Sequence, residues 1–413
     1  MRNHPKKHVL YLVHRFPFPP DKGDRIRAFH IIEHLQDRCH LSVVTLDDAN
    51  VPRRDIEALG RYCHRLDVVP ASRLATTRGL IRMARGGSAT LGALGSKPFF
   101  NKIEQVGSEN PPDAVLLSTS GLADVLQLPS LQRARKVVDF VDLDSQKWQD
   151  YAAESRGPMR LIYGMEARRL RAVESRLIRD ADAITLVTDA ERQLCEQLCG
   201  TDEIHTVTNG VHPGPLPTTP PAEPRLIFVG ALDYRPNVEG IHWFCRHVWP
   251  KVRAAYPTAQ LALVGRSPHP TIQQLRLPGV KLIGPVPEIR PHLDAAAISI
   301  SPLQIARGLQ NKVLEAMAAG RPVVASPGAA EGIMASPSRD LLVADSPDEW
   351  AAAIDQLIED PGRARQIGQA GRAYVENHHD WSTCLFKLPE LLGLEGNLEN
   401  ATKFLPISVP SLV

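Results

Sequence analysis

The sequence predicts an α/β protein built from two doubly wound domains. Short apolar runs, each long enough for one buried strand, alternate with stretches that repeat apolar residues at helical spacing. The alternation is interrupted by a proline-rich segment and then starts again. A chain of 413 residues is long enough for two domains of about 200 residues each.

The first domain is predicted to span residues 1–211. Its predicted strands are Val9–Val13, Leu41–Leu46, Leu66–Val69, Ala114–Leu117, Lys136–Phe140 and Ile184–Val187, with helices at Asp55–Tyr62 and Met159–Ala181. The loop HRFPFPPDKGDR follows the first strand and places Gly23 before a helix. Phosphate tends to bind at such a position in α/β folds. Because no G-x-G-x-x-G accompanies it, a tight turn that needs a glycine is the commoner explanation of Gly23.

The clearest domain boundary is the segment HPGPLPTTPPAEP at 212–224, with six prolines in 13 residues. Such a composition favours a stiff, extended linker. The second domain is predicted at 225–380, followed by a terminal helix at 381–392 and a tail at 393–413 without a motif. Its predicted strands are Leu226–Val229, Leu261–Val264, Val280–Ile283, Ile298–Ile300 and Pro322–Ala325, with one helix at 238–255 and more than one closing helix within 348–377.

The most informative stretch of the second domain is SPLQIARGLQNKVLEAMAAGRPVVASP at 301–327. It predicts a strand, a loop, a helix that starts near Asn311 and ends before Gly320, and another strand. Helical geometry places Lys312 and Glu315 on one face, about one turn apart. The free N–H groups of the first turn, with Arg307 and Lys312, suit a phosphate, and Glu315 could hold the hydroxyls of a ribose. The alternative is a core helix with an ordinary exposed Lys–Glu pair.

In the first domain, VVDFVDLDSQKWQDYA places three acidic residues just beyond a predicted strand. Ligands of open α/β sheets bind at this edge. Asp139, Asp142 and Asp144 could bind a metal, but neither a histidine nor a calcium-loop glycine accompanies them. Capping of the helix that begins near Ser145 is the more ordinary role for one or more of them.

Composition and charge exclude some classes of protein. The 48 basic and 46 acidic residues give a formal charge of +2, so nothing in the overall charge indicates nucleic acid as a partner. The sequence shows neither an apolar run of about 18 residues nor a signal-peptide pattern, which predicts a cytoplasmic protein. The stretch 73–102 mixes arginines with apolar residues. This pattern predicts either a helix with one solvated face or a helix that binds peripherally to an anionic membrane surface.

The segment GLQNKVLEAMAAGRPVVAS resembles the nucleotide-sugar signature of family 4 glycosyltransferases, and the resemblance covers Val9 to about Leu392. It implies the GT-B fold, in which two Rossmann-like domains face each other across a cleft and a terminal helix crosses back to the first domain. In that family a glutamate at the place of Glu315 binds the ribose, and strand-end loops read the base through backbone groups. The donor-site residues that the resemblance implies are Gly23, Arg235, Gly265, Val286, Arg307, Gly308, Lys312, Leu314 and Glu315.

Two departures from the family concern the phosphates. A second glutamate usually stands eight positions before Glu315, where this chain has Arg307. A basic residue there favours the diphosphate over a sugar hydroxyl. The segment FVGALDYRPN lacks the lysine–glycine pair that usually follows this strand, and Arg235 is the nearest cation.

The acidic segment resembles a narrower subfamily, the sugar transferases associated with exosortase and PEP-CTERM exopolysaccharide systems. Asp142 is the residue that this likeness identifies as orienting or deprotonating the acceptor hydroxyl. The segments RLIRDADAITLVTDAE and IHTVTNGVHP are similar to the family's junction between domains.

The resemblance thus implies transfer of a sugar from a nucleotide-sugar to the hydroxyl of a sugar or lipid-linked sugar. Retention of configuration and no metal or other cofactor are expected, with basic groups and helix N–H donors neutralising the leaving diphosphate. A nucleotide-sugar epimerase of the same architecture is an alternative, but the acids and histidine that it needs for proton transfer are not evident in the sequence. A non-catalytic two-domain ligand-binding protein is a third hypothesis, disfavoured by the missing export signal and by Glu315.

Overall fold

The chain forms two α/β units, each built on one parallel sheet. The structure, a computed structural model, describes residues 6–20, 23–47, 50–199, 204–216, 224–304 and 308–394. The first unit holds the described residues through Thr208 together with 385–394, and the second holds 209–384. Predicted Arg307 lies outside the described residues, as do parts of the proline-rich linker and of the tail.

The sheet of the first unit has seven strands in the order β3-β2-β1-β4-β5-β6-β7, all parallel. The strands are β1 (His8–Val13), β2 (His40–Asp47), β3 (Arg65–Pro70), β4 (Ala114–Ser118), β5 (Arg135–Val141), β6 (Ala183–Leu186) and β7 (Ile204–Thr206). β1 and β4 are fully buried, as expected of strands covered on both faces. The order reverses direction at β1, which makes this sheet doubly wound.

Helices flank this sheet and supply its crossover connections. They are α1 (Gly23–Leu35), α2 (Arg53–Leu59), α3 (Ala75–Ala84), α4 (Ala89–Leu94), α5 (Lys97–Glu109), α6 (Asp144–Glu154), α7 (Pro158–Asp180) and α8 (Asp189–Cys199). A short 3₁₀ turn at Gly60–Tyr62 continues α2, so the helical region predicted at 55–62 is confirmed with a tighter last turn.

The second unit has six parallel strands in the order β10-β9-β8-β11-β12-β13. They are β8 (Arg225–Val229), β9 (Gln260–Val264), β10 (Val280–Gly284), β11 (Ile298–Ser301), β12 (Val323–Ala325) and β13 (Leu342–Val343). Its helices are α9 (Arg235–His247), α10 (Trp249–Ala255), α11 (Pro270–Gln273), α12 (Arg290–Asp294), α13 (Asn311–Ala318), α14 (Pro327–Glu331), α15 (Pro347–Glu359), α16 (Pro361–His378) and α17 (Trp381–Cys384).

Two predicted helices are each divided in the structure. The helix predicted at 238–255 is α9 and α10, which meet at Val248. Pro250 explains the break, because proline is tolerated in a first helical turn and not in a helix interior. The helix predicted at 381–392 is α17 in the second unit and α18 (Leu388–Leu391) in the first.

The described end of the chain is anchored to the first unit. The Arg135 side chain donates to the Leu391 carbonyl at 2.6 Å, and Lys7 donates to the Gly393 carbonyl at 2.6 Å. Residues 385–394 therefore belong with the first sheet, although they follow the second unit in sequence.

The division into units falls between Thr208 and Asn209, whereas the sequence places the end of the first domain at residue 211. Residues 209–211 pack within the second unit. A Cβ on Gly210 would lie 2.7 Å from three atoms of Trp381, and the Val211 N–H donates to the His379 carbonyl at 2.7 Å. The close approach to Trp381 explains why a glycine stands in the NGV turn.

Candidate functional site

The helix α13 lies in the second unit between β11 and β12. Val313, Leu314 and Met317 are at most 1% exposed, so this face of α13 lies in the core. Gly320 ends the helical segment in a left-handed conformation with φ +68°, as predicted. Because the Leu314 side chain is in the core, only its backbone remains available for a ligand.

At the start of α13 the Val313 N–H donates to the Gln310 carbonyl at 2.9 Å, so the backbone donors that a ligand could use are those of the first two helical residues. Asn311 is the first helical residue and Gln310 is the N-cap, whose side chain makes no capping hydrogen bond. The first N–H groups of a helix have no acceptor within the helix itself. Gly308 precedes this turn with φ +63°, a conformation that glycine adopts readily. The start of α13 therefore has the geometry of an anion site.

Lys312 points toward the start of α9. Its Nζ donates to the Asn237 Oδ1 at 2.5 Å and lies 5.1 Å from the centre of the Phe228 ring. Burial lowers the pKa of Lys312 to about 7, and the nearby negative charge of Glu315 acts in the opposite direction. The ammonium thus lies in a poorly solvated position where an anionic ligand would favour its charged form.

Glu315 lies one turn further along α13, on the same face. Among the described residues no donor forms a hydrogen bond with its carboxylate. Burial raises the pKa of Glu315 to about 7, and Lys312 opposes this rise. The carboxylate oxygens are therefore available as acceptors for ligand hydroxyls.

In the second sheet, β8, β9 and β10 each end at or directly before a glycine, which is Gly230, Gly265 or Gly284. A Cβ on Gly265 would lie 1.7 Å from the Gly230 carbonyl oxygen, so only glycine fits there. The Gly265 N–H donates to the Gly284 carbonyl at 2.9 Å. Close backbone packing thus accounts for Gly265 without any ligand. Val286, just beyond β10, is partly buried against the core of this unit.

Arg235 is the first residue of α9 and is exposed. Its Nε donates to Glu239 Oε1 at 2.7 Å, one turn along the helix. Lys312 is a cation that the structure brings to the loop after β8, through Asn237. Sequence reasoning missed Asn237, which is only 3% exposed. The sequence signal was a polar residue in the first turn of an amphipathic helix, and such a residue usually caps the helix or faces solvent.

The NGV turn also reaches α13. The Asn209 Nδ2 donates to Asn311 Oδ1 at 3.2 Å, and the Asn209 carbonyl accepts a hydrogen bond from His379 Nδ1 at 3.0 Å. The turn identified in the sequence as a domain junction thus contacts the first residue of the candidate donor-binding helix.

In the first unit, a strained turn places Asp142 at the carboxyl end of β5. Val141 has φ +67°, and the Asp142 N–H donates to the Phe140 carbonyl at 2.8 Å. This is a γ-turn with a positive central φ, a rare and strained conformation for a β-branched residue. Strain of this kind clusters at functional sites.

The Asp142 carboxyl group is in an unfavourable environment for its charge. Its Oδ1 is shielded from solvent and has no hydrogen-bond partner among the described residues. Burial, followed by the negative charge of Glu191, raises the pKa of Asp142 to about 6, while Lys147 acts in the opposite direction. Glu191 is itself held by the Leu143 N–H at 3.0 Å.

The two neighbouring aspartates have structural partners. Asp139 forms two hydrogen bonds with the buried Arg27, at 2.7 and 2.8 Å, and accepts a third from Thr185 at 2.8 Å. Asp144 accepts a hydrogen bond from the Ser120 hydroxyl at 2.8 Å. A buried ion pair of this kind is costly to break.

The expected capping role of these acids is wrong. The N-cap of α6 is Leu143, whose side chain makes no capping hydrogen bond, and Asp144 is the first helical residue. Instead, the Ser145 N–H donates at 2.9 Å to Glu174, whose pKa burial raises to about 7. The first turn of α6 is therefore satisfied from α7, which leaves Asp142 without this structural task.

Gly23 is the first residue of α1 and is exposed. Next to it, Asp24 accepts a hydrogen bond from Arg15 at 2.8 Å. The residues directly before Gly23 lie outside the described part of the chain. Among the helices that the structure describes, none is both long enough and apolar enough to cross a membrane.

Comparison with known proteins identifies both units. The family model described as "Glycosyl transferase 4-like domain" matches residues 23–210, and "Glycosyl transferases group 1" matches residues 223–360. Glycogen synthase of Mycobacterium tuberculosis (strain CDC 1551 / Oshkosh) is 27% identical over 241 residues, 54% of this chain and 56% of that protein. A GDP-mannose-dependent monoacylated alpha-(1-6)-phosphatidylinositol monomannoside mannosyltransferase of Corynebacterium glutamicum is 34% identical over 161 residues, 35% of this chain and 42% of that protein. The matches span about half the length of these curated relatives.

The fold has solved counterparts over nearly its whole length. The structure of Anabaena Alr3699/HepE in complex with UDP-glucose matches with a TM-score of 0.67 and 17% identity, over 94% of this chain and 99% of that chain. At this identity the likeness establishes the fold alone. The chain therefore belongs to the GT-B glycosyltransferases that join a glycosyl transferase 4-like domain to a glycosyl transferases group 1 domain.

Proposed function

We propose that the protein transfers a glycosyl group from a nucleotide-sugar donor to the hydroxyl of an acceptor. The observation that carries this proposal is the arrangement on α13, where the helix N-terminus and Lys312 precede Glu315 by one turn. An anion site followed by an open carboxylate suits a diphosphate followed by a ribose. The Anabaena structure contains UDP-glucose, and the mannosyltransferase relative depends on GDP-mannose.

The diphosphate is bound by Lys312 and by the first-turn amides of α13. As the bond between the sugar and the diphosphate breaks, negative charge grows on the leaving oxygen, and these donors stabilise it. Arg307, the further cation that the sequence assigns to the diphosphate, lies outside the described residues. This arrangement needs no metal ion for charge neutralisation, and transfer proceeds with retention of configuration.

The acceptor hydroxyl is oriented by Asp142. A new bond forms between the acceptor oxygen and the anomeric carbon, and the hydroxyl proton passes to the Asp142 carboxylate. With a pKa of about 6, this group is ionised at neutral pH and is a stronger base than an ordinary aspartate. Among the described residues, Asp142 Oδ1 has no hydrogen-bond partner, whereas Asp139 and Asp144 already accept hydrogen bonds from other side chains. This difference supports the role of Asp142.

The acceptor is a sugar or lipid-linked sugar in exopolysaccharide or another cell-surface glycan, and the protein acts at the cytoplasmic face of the membrane. Support comes from α3 and its N-cap residue, where Leu74, Leu80 and Ile81 are 63%, 57% and 47% exposed. Arg73 and Arg85 flank them and are exposed. Apolar side chains bordered by cations favour an anionic lipid surface.

Membrane contact is tested by sedimentation with vesicles of phosphatidylcholine, with and without phosphatidylglycerol. We expect binding to the anionic vesicles that falls in a variant combining Leu80→Ser and Ile81→Ser. Equal sedimentation of both proteins would refute the role of α3.

The donor site is tested by thermal unfolding of the wild-type protein with UDP, GDP and dTDP, each compared with its nucleoside. A ligand that binds only the folded state raises the melting temperature. We expect one diphosphate to stabilise the protein clearly more than its nucleoside does. Stabilisation by none of the three would contradict the proposed function. The sugar nucleotides of the best base then serve as donors in a transfer assay that measures diphosphate release.

A further inference from the structure

Asn237 is a buried amide that connects two parts of the second unit. Its Nδ2 donates to the Ala231 carbonyl at 2.8 Å, in the loop that follows β8. Its Oδ1 accepts the Lys312 Nζ at 2.5 Å. The side chain therefore connects the loop after β8 with the first turn of α13.

The orientation of this amide is fixed from both sides. Only the NH₂ group can donate to the Ala231 carbonyl, and only the carbonyl oxygen can accept from Lys312, because an ammonium has no acceptor. The Asn237 Nδ2 also packs against Gly230, where a Cβ would lie 2.9 Å away. The acceptor offered to Lys312 is therefore held in one place.

We propose that Asn237 is a positioning residue that holds the Lys312 ammonium beside the loop after β8, where it binds the donor diphosphate. This inference rests on the proposed function and assigns the loop after β8 a cation supplied from α13. The segment after β8 has no lysine of its own, and Arg235 is engaged by Glu239. Asn237 and Lys312 together place a cation beside this loop.

The bond to Asn237 limits where a long, flexible side chain can go. A lysine side chain has several rotatable bonds, and a single acceptor at its tip restricts them before the ligand arrives. Among the described residues, Glu315 is the titratable group whose charge acts on Lys312. The lowered pKa of Lys312 means that diphosphate affinity should fall as the pH rises above about 7.

The test is a double-mutant cycle with Asn237→Leu and Lys312→Met. Calorimetry measures the affinity for the nucleoside diphosphate that stabilises the wild-type protein and for its nucleoside. Each single change should weaken diphosphate binding by roughly tenfold and nucleoside binding little, because only the diphosphate contacts the cation. If Asn237 acts through Lys312, the double variant should bind the diphosphate no more weakly than Lys312→Met alone. Additive losses would overturn the positioning role.

Asn237→Asp provides a second variant for the case in which Asn237→Leu does not fold. It keeps an acceptor for Lys312 and adds a negative charge, so the pH at which diphosphate affinity falls should move upward. An unchanged pH profile would overturn the inference. Arg246→Ala, an exposed change at the other end of α9, is the control and should leave both affinities unchanged. If the wild-type protein binds none of the diphosphates, the proposed function fails as well; binding with an additive cycle removes only the role of Asn237.

Discussion

Replacing Asp142 with asparagine should make the folded protein more stable at alkaline pH while strongly lowering its turnover. The folded-state pKa of this group is about 6, above its ordinary value of 3.8. Because the folded state resists ionisation, it loses stability relative to the unfolded chain as the pH rises through this interval. Asparagine has no charge to lose and keeps nearly the same shape.

The magnitude follows from the pKa. A rise from 3.8 to about 6, at 1.36 kcal/mol per pH unit, corresponds to about 3 kcal/mol once the pH is well above 6. At pH 4 only a small part of this cost applies, about 0.5 kcal/mol. Asp142→Asn should therefore raise the free energy of unfolding by about 3 kcal/mol at pH 8 and by about 0.5 kcal/mol at pH 4.

Urea unfolding at the two pH values measures this difference, and a transfer assay at pH 8 measures turnover, which should fall by roughly 100-fold. Asp144→Asn is the matched control. Its carboxylate accepts a hydrogen bond from Ser120, so its loss should lower stability at pH 8, with turnover largely retained. An Asp142→Asn protein with the same gain at both pH values would refute the buried-charge argument, and near-normal turnover would remove Asp142 from catalysis.

Three further predictions concern the second unit. Glu315→Gln should weaken nucleoside binding by about 1.5–3 kcal/mol in calorimetry, because the ribose loses a charged acceptor; unchanged affinity with an intact circular dichroism spectrum would exclude the role. Lys312→Met should reduce diphosphate binding much more than nucleoside binding, and the same change at the exposed Lys281 should reduce neither; equal losses for both ligands would make Lys312 structural. Gly265→Ala should lower the free energy of unfolding by more than about 2 kcal/mol, since its Cβ would meet the Gly230 carbonyl at 1.7 Å; wild-type stability in urea unfolding would contradict this packing.

Much of the fold could be predicted because a parallel strand that is buried on both faces appears in the sequence as a short run of apolar residues. The prediction at Val9–Val13 differs from β1 by one residue, and Leu226–Val229 differs from β8 by one residue. The limits of α13 were also predicted, because the sequence places its start near Asn311 and its end before Gly320. The helix break at Val248 was missed because the apolar spacing continues through it, although Pro250 marks it in the sequence.

Contacts between distant residues could not be predicted in this way. Lys312 and Asn237 are 75 residues apart, and neither segment alone indicates the other. The pairing of Arg27 with Asp139 spans 112 residues, so sequence could not separate this structural acid from Asp142. The γ-turn at Val141 opposes the local preference of valine, and tertiary structure must impose it.

The most direct test of the donor site on α13 is a crystal structure of the protein with the nucleoside diphosphate that stabilises it most. We expect both ribose hydroxyls within hydrogen-bond distance of Glu315, and the diphosphate at the start of α13 in contact with Lys312. A diphosphate bound away from α13, or a ribose that does not reach Glu315, would contradict it.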